Sequence, residues 1–164
     1  MSRTSGAVVL AVLLGGCMPF GWHQAKLLEG KYRSGSPGEG WSSVEPGGAD
    51  HAWVNRGAGA SLYIDSNCGS RFQEARTVDL ATELVAGLQG VTQDLEVERS
   101  IGPRSGVVRT HTGRLDGVPV RLGVAVVNHD WCTYDFVLIT PLGTLDELWP
   151  AFEAVLAGFD PVAP

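Results

Sequence analysis

Val118, Val120, Leu122, Val124 and Val126 occupy every second position of the segment 118–127. No other run in the chain alternates so cleanly. Period two is the mark of a strand with one face in a core. Asp116-Gly117 stands directly before it. That dipeptide favours a type I′ turn, whose central residues both need positive φ. A strand returning from so tight a turn pairs with the segment it follows. That segment is 107–115, given a polar character by Thr110, His111, Thr112 and Arg114. The chain is thereby expected to build on an antiparallel sheet.

Further strands are read on the same grounds. In 131–140 the even positions are Cys132, Tyr134, Phe136 and Leu138. In 60–68 the even positions Ala60, Leu62, Ile64, Ser66 and Cys68 form the core-facing set. Gly57-Ala58-Gly59 turns the chain between this strand and 51–56, making a hairpin. A short strand at 40–44 and another at 95–100 complete the set, with 101–106 as a loop. Two segments carry helical spacing instead. In 77–90, Leu80, Leu84 and Leu88 recur every four residues beside Ala81 and Val85. Thr77 is the expected N-cap and Gly90 the expected C-cap. In the last segment, up to about residue 158, Leu145, Leu148, Trp149, Phe152, Val155, Leu156 and Phe159 form one stripe. Thr144 and Glu147 there fit a capping box. Pro150 predicts either a kink or a later helix start. The reading is α+β: a largely antiparallel β-sheet flanked by two helices.

The N-terminus carries a different signal. Arg3 precedes an apolar run from Ala7 to Leu14, and Leu14-Gly15-Gly16-Cys17 closes it. The run is far shorter than the ~20 residues of a membrane-spanning helix. These residues resemble the lipobox of bacterial lipoproteins, with Cys17 at the invariant position. The resemblance implies cleavage before Cys17, a thioether-linked diacylglycerol on it, and an acyl chain such as palmitate on the new N-terminus. The alternative is an ordinary secretory signal that contains a cysteine. Residues 1–16 are thus expected to be a signal peptide, 17–39 a flexible tether rich in turn formers, and 40–164 one α/β domain. Met18 follows Cys17 where the enterobacterial inner-membrane retention signal has Asp. By that resemblance the protein belongs on the outer membrane, facing the periplasm.

Charge excludes some partners. The chain carries a net charge of −6 and no basic patch, which disfavours nucleic acid and direct attraction to an anionic membrane. The expected membrane contact is the lipid on Cys17. With Cys17 lipidated, Cys68 and Cys132 are the only internal pair left, and an exported compartment is oxidising. A disulfide is expected, two buried free thiols being the alternative. Both cysteines sit on the even, core-facing sets of their strands. Bridging then requires the two strands to run side by side.

The order of hairpin 51–68, helix 77–90, strands 95–140 and a final helix bearing Phe152 and Phe159 resembles the PsbP-like α/β/α sandwich. That fold includes exported lipoproteins of the DcrB type. The resemblance implies a sheet covered by helices and a binding or assembly role without enzyme activity.

No nucleophile elbow, zinc-helix motif, P-loop or dinucleotide fingerprint occurs. His23, His51, His111 and His129 are scattered over a tether, two strands and a turn, so no metal site and no cofactor is expected. A hydrolase would need His111 or His129 beside a serine and a carboxylate. The candidate binding residues are aromatic. Trp53, Tyr63 and Trp131 fall on odd strand positions, read as the face opposite Leu62, Val54 and Phe136. Either a helix covers that face, or it forms a groove for an apolar ligand or an envelope protein. A carrier of a lipid or other apolar small molecule would instead enclose a cavity lined by Leu84, Leu122, Phe136 and Trp149.

Overall fold

The alternation of 118–127 lies near the middle of a seven-stranded antiparallel sheet. A computed structural model describes residues 32–69 and 75–161. In chain order the strands are β1 (Tyr32–Arg33), β2 (Ser42–Val44), β3 (His51–Asn55), β4 (Ala60–Cys68), β5 (Gln89–Ile101), β6 (Arg104–Leu115), β7 (Val118–His129), β8 (Cys132–Pro141) and β9 (Asp160–Pro161). The helices are α1 (Thr77–Leu84) and α2 (Leu145–Ala157). The large sheet runs β2-β3-β4-β8-β7-β6-β5, and β1 pairs separately with β9. No helix among the described residues is long and apolar enough to cross a membrane.

Each sheet face meets one helix, giving three layers. On one face Leu62, Ile64, Val108, Ala125, Phe136 and Leu138 pack beneath Leu148, Phe152, Val155 and Leu156 of α2. On the other, Val107, Val120, Leu122, Val124, Val126 and Val137 pack beneath Ala81 of α1 and Val85, the residue that caps it. Phe136, Phe152 and Leu62 are fully buried, and each such side chain contributes roughly 1.5–3 kcal/mol of transfer free energy. Trp149 lies directly over Gly123, where a Cβ would come within 2.7 Å of its ring. The glycine at that strand position is what lets the indole seat.

Several boundaries differ from expectation. Residues 32 and 33, expected to lie in a flexible tether over 17–39, form strand pairs instead: Tyr32 with Pro161 and Arg33 with Asp160. The Gly35 amide donates to the Val155 carbonyl at 3.2 Å, so close to α2 that no Cβ would fit. Residues 17–31, including Cys17, lie outside the described part, as does the signal segment. Helix α1 ends at Leu84 rather than Gly90. Gly87 and Gly90 weaken its continuation, and Gly90, at φ 59°, already belongs to β5. The N-cap of α1 is Arg76, not Thr77, and Arg76 grips Asp79 at 2.9 Å. Residues 101–106 are not a loop, because Ile101 pairs directly with Arg104 around a two-residue turn. The Thr144 hydroxyl donates to the Pro141 carbonyl at 3.0 Å instead of capping α2. Helix α2 runs through Pro150 without breaking.

Candidate functional site

Helix α1 is short, and the site follows from that. Its buried residues pack over β6 and β7, and Arg109 of β6 fastens it there. The Arg109 guanidinium donates to the Val78 carbonyl at 2.9 Å and to the Thr82 hydroxyl at 2.8 Å. It also pairs with Glu96 of β5 at 2.6 Å. The same sheet face continues over β4, β3 and β2, where no described helix lies. Cross-strand partners share a face, so the register Val44–Ala52–Tyr63 and Val54–Ser61 sets these side chains on that uncovered side. With Pro46, Gly48 and Ala49 of the β2–β3 connection they line an open groove of about 370 Å³, which Asp65 also borders.

Tyr63 ties the groove to the core beneath α1. Burial pushes its phenol pKa up, and the carboxylates of Asp135 and Asp65 push it further. Asp65 faces Asp135 directly across β4 and β8. Asp135 is only 7% exposed, and its Oδ1 has no hydrogen-bond partner among the described residues. Burial, then Asp65, then Glu83, push its pKa up to about 7. Asp135 therefore keeps its proton to a pH well above the one at which an ordinary aspartate ionises. The Asn67 amide donates to Asp65 at 3.2 Å. An apolar groove with a carboxyl pair beside it can seat an apolar surface and answer a polar atom at its edge.

The Cys68–Cys132 disulfide is present and joins directly opposed residues of β4 and β8, their Cα atoms 4.0 Å apart. It closes 64 residues of sequence, and such a loop stabilises by about 4 kcal/mol in the chain-entropy description. It staples the ladder that carries Asp65 and Asp135.

The three expected binding aromatics do not share a face. Trp53 pairs with Leu62, so its side chain lies on the α2 side, stacked on His51 with ring centres 5.8 Å apart, although Trp53 and Leu62 also border the groove. Tyr63 is on the α1 side, in the groove. Trp131 belongs to neither, occupying the β7–β8 turn at 53% exposed. That turn has φ of 46° at Asp130 and 69° at Trp131, where a bulky side chain is strained. The Gly69 amide holds the turn by donating to the Trp131 carbonyl at 2.8 Å. The carrier cavity fails for a related reason. Leu122 packs under α1 with Leu84, whereas Phe136 packs under α2 beside Trp149. The sheet separates the pairs.

Neither histidine completes a catalytic set. His111 is 3% exposed, and neither ring nitrogen has a hydrogen-bond partner among the described residues. Burial pulls its pKa down, aided by Arg109 and opposed by Asp94. Among the described residues the ion-pair partner of His129 is its neighbour Asp130, at 3.2 Å. Among the described residues no group of three or more His, Cys, Asp or Glu is placed to hold a metal.

Sequence reasoning missed Tyr32. Its ring meets Tyr134 at 5.3 Å and Phe159 at 5.9 Å, and its hydroxyl donates to Asp50 at 3.2 Å. The Ser66 hydroxyl donates to the same carboxylate oxygen at 2.6 Å. The only signal available was an aromatic residue inside a segment read as linker.

No protein-family model matches the chain, and no curated protein matches it. Solved structures do. LpqN of Mycobacterium tuberculosis, described as involved in cell envelope biogenesis, superposes with a TM-score of 0.61 at 8% identity, over 82% of this chain and 86% of that one. The cyanobacterial PsbP (CyanoP) of Synechocystis sp. PCC 6803 superposes with a TM-score of 0.56 at 14% identity, over 91% of this chain and 99% of that one. The fold is PsbP-like. A Pseudomonas aeruginosa protein of unknown function also matches, with a TM-score of 0.52 at 14% identity, over 83% of this chain and 86% of that one. At these identities the likeness extends to the fold alone.

Proposed function

We propose that this protein is a non-enzymatic envelope lipoprotein, held to the outer membrane by lipid on Cys17, whose domain binds a periplasmic partner protein through the groove over β2, β3 and β4. The observation that carries the reading is the uncovered half of the α1 face. Val44, Ala52, Val54 and Tyr63 line a concave apolar surface there beside a carboxyl pair, as sites that take a partner side chain do. The lipobox-like Leu14-Gly15-Gly16-Cys17 supports the anchor. LpqN, a fold neighbour tied to envelope biogenesis, supports the compartment.

A photo-crosslinking residue at Ala52 of the full-length chain, expressed in an exporting bacterial host, tests the reading. The expected outcome is a discrete adduct with an envelope protein, lost when Val54→Lys charges the groove. Adducts with small apolar molecules alone would favour the carrier role at this surface groove. No adduct would remove the groove from consideration. The intact mass of membrane-purified protein checks the anchor, and an unmodified Cys17 would overturn it.

A further inference from the structure

The sheet has two edges of unlike length. The β2 edge is 3 residues long, whereas β5 runs for 13. Nothing among the described residues pairs with the outer side of β5. Its first half is irregular, with register shifts between Gln89 and Thr92 and between Gln93 and Leu95. From Leu95 to Ile101 the ladder is regular. A regular free edge presents unpaired amides and carbonyls at strand spacing, ready for another strand.

The side chains of that regular stretch are sorted. Leu95 and Val97, opposite Thr110 and Val108, project on the α2 side and are 46% and 40% exposed. Glu96 and Glu98, opposite Arg109 and Val107, project on the α1 side. Arg109 pairs with Glu96 from within the sheet, and Glu98 has no ion-pair partner among the described residues. Arg99 is already engaged with Glu153 at 2.8 Å. The edge thus carries Leu95, Val97 and the Glu153-paired Arg99 on one side and Glu96 and Glu98 on the other. These charges work against self-pairing. A second copy pairing antiparallel about Val97 would set Glu96 against the other copy's Glu98, twice by symmetry, and like charges directly opposed are destabilising.

We infer that the β5 edge from Leu95 to Ile101 receives an extended segment of a partner protein, one that alternates Lys or Arg with apolar residues and adds a further strand to the sheet. Its basic side chains would lie beside Glu96 and Glu98, and its apolar ones would extend the Leu95–Val97 surface. The backbone ladder would supply affinity and the alternation would supply selectivity. This surface lies at the opposite end of the sheet from the groove, and the inference does not rest on it.

The test uses the full-length chain and synthetic peptides of alternating Lys and Val, with alternating Glu and Val as control. Binding is read by fluorescence anisotropy and located by amide hydrogen exchange. The expected result is saturable binding of the Lys–Val peptide with slowed exchange confined to the amides of β5. Glu98→Lys, on the exposed edge, should weaken it about tenfold at low ionic strength. Leu95→Lys gives a second reading through the apolar side and should weaken it too. Circular dichroism verifies that both variants are folded. Absence of binding would overturn the inference. So would equal binding of the Glu–Val control, or binding that leaves β5 exchange unchanged. Concentration-dependent dimerisation that protects β5 without peptide would overturn it in favour of a second copy.

Discussion

The two faces of the sheet are covered to different extents by helices of different length. Helix α2, Leu145–Ala157, lies over a face where Phe136, Phe159, Tyr134 and Tyr32 interlock with ring centres 5.0 to 5.9 Å apart. Helix α1, Thr77–Leu84, covers mainly valines and stops at the edge of Tyr63, and among the described residues no helix lies over the β2–β3 side chains. A sheet needs both faces dressed, and the cheapest way to make a site is to under-dress one. The closed face holds the fold, and the open face is free to carry polar groups such as the Asp65–Asp135 pair.

The difference is breakable by mutation. Phe136→Ala, in the closed face, should cost about 4 kcal/mol in denaturant unfolding, while Tyr63→Ala at the open face should cost about half as much. Equal costs would mean that the two faces share one core. A subtler probe is pH. Asp135 has a folded pKa near 7 against an ordinary value of 3.8, so the native state binds the extra proton between these values. Its contribution is complete below the ordinary value and is lost as pH rises through about 7. Stability should fall by about 2 kcal/mol between about pH 5 and pH 8, and Asp135→Asn should flatten that slope. His111 acts with the opposite sign. Its lowered pKa makes it cost stability as pH falls below the ordinary histidine value, so His111→Gln should steepen the fall. Smallest of all, Trp131→Gly should stabilise by about 1 kcal/mol, by removing a side chain from a left-handed position. A loss of stability instead would show that the exposed indole packs on its surroundings.

Much of this was legible in the sequence, and the misplaced faces share one cause. Period two shows which residues of one strand lie together, and the even sets of β4, β7 and β8 are each correctly grouped. It does not show which set of one strand shares a face with which set of the next. The two-residue turn at Asp130 and Trp131 pairs His129 with Cys132, so even positions of β7 lie with odd positions of β8. The four-residue turn after Asn55 pairs it with Ala60, which puts Trp53 with Leu62. Loop length flips the parity, and for that reason Trp53 and Tyr63 part company, as do Leu122 and Phe136. Cys68 and Cys132 survived because β4 and β8 pair even with even. Helix α1 was overread because the Leu80, Leu84 and Leu88 spacing persists past the point where two glycines stop supporting a helix. The groove itself had no sequence signal, since it arises from what α1 fails to cover.

The pairing of Tyr32–Arg33 with Asp160–Pro161 has a mechanical meaning. A load drawn along the chain ahead of Tyr32 reaches the domain through a ladder of two residue pairs, backed by one aromatic ring among Tyr134 and Phe159 and one hydroxyl on Asp50. The large sheet lies behind that contact and is stapled at Cys68–Cys132. The short ladder is a fuse. Under tension it would open before any strand of the large sheet, while the groove and the β5 edge stayed intact.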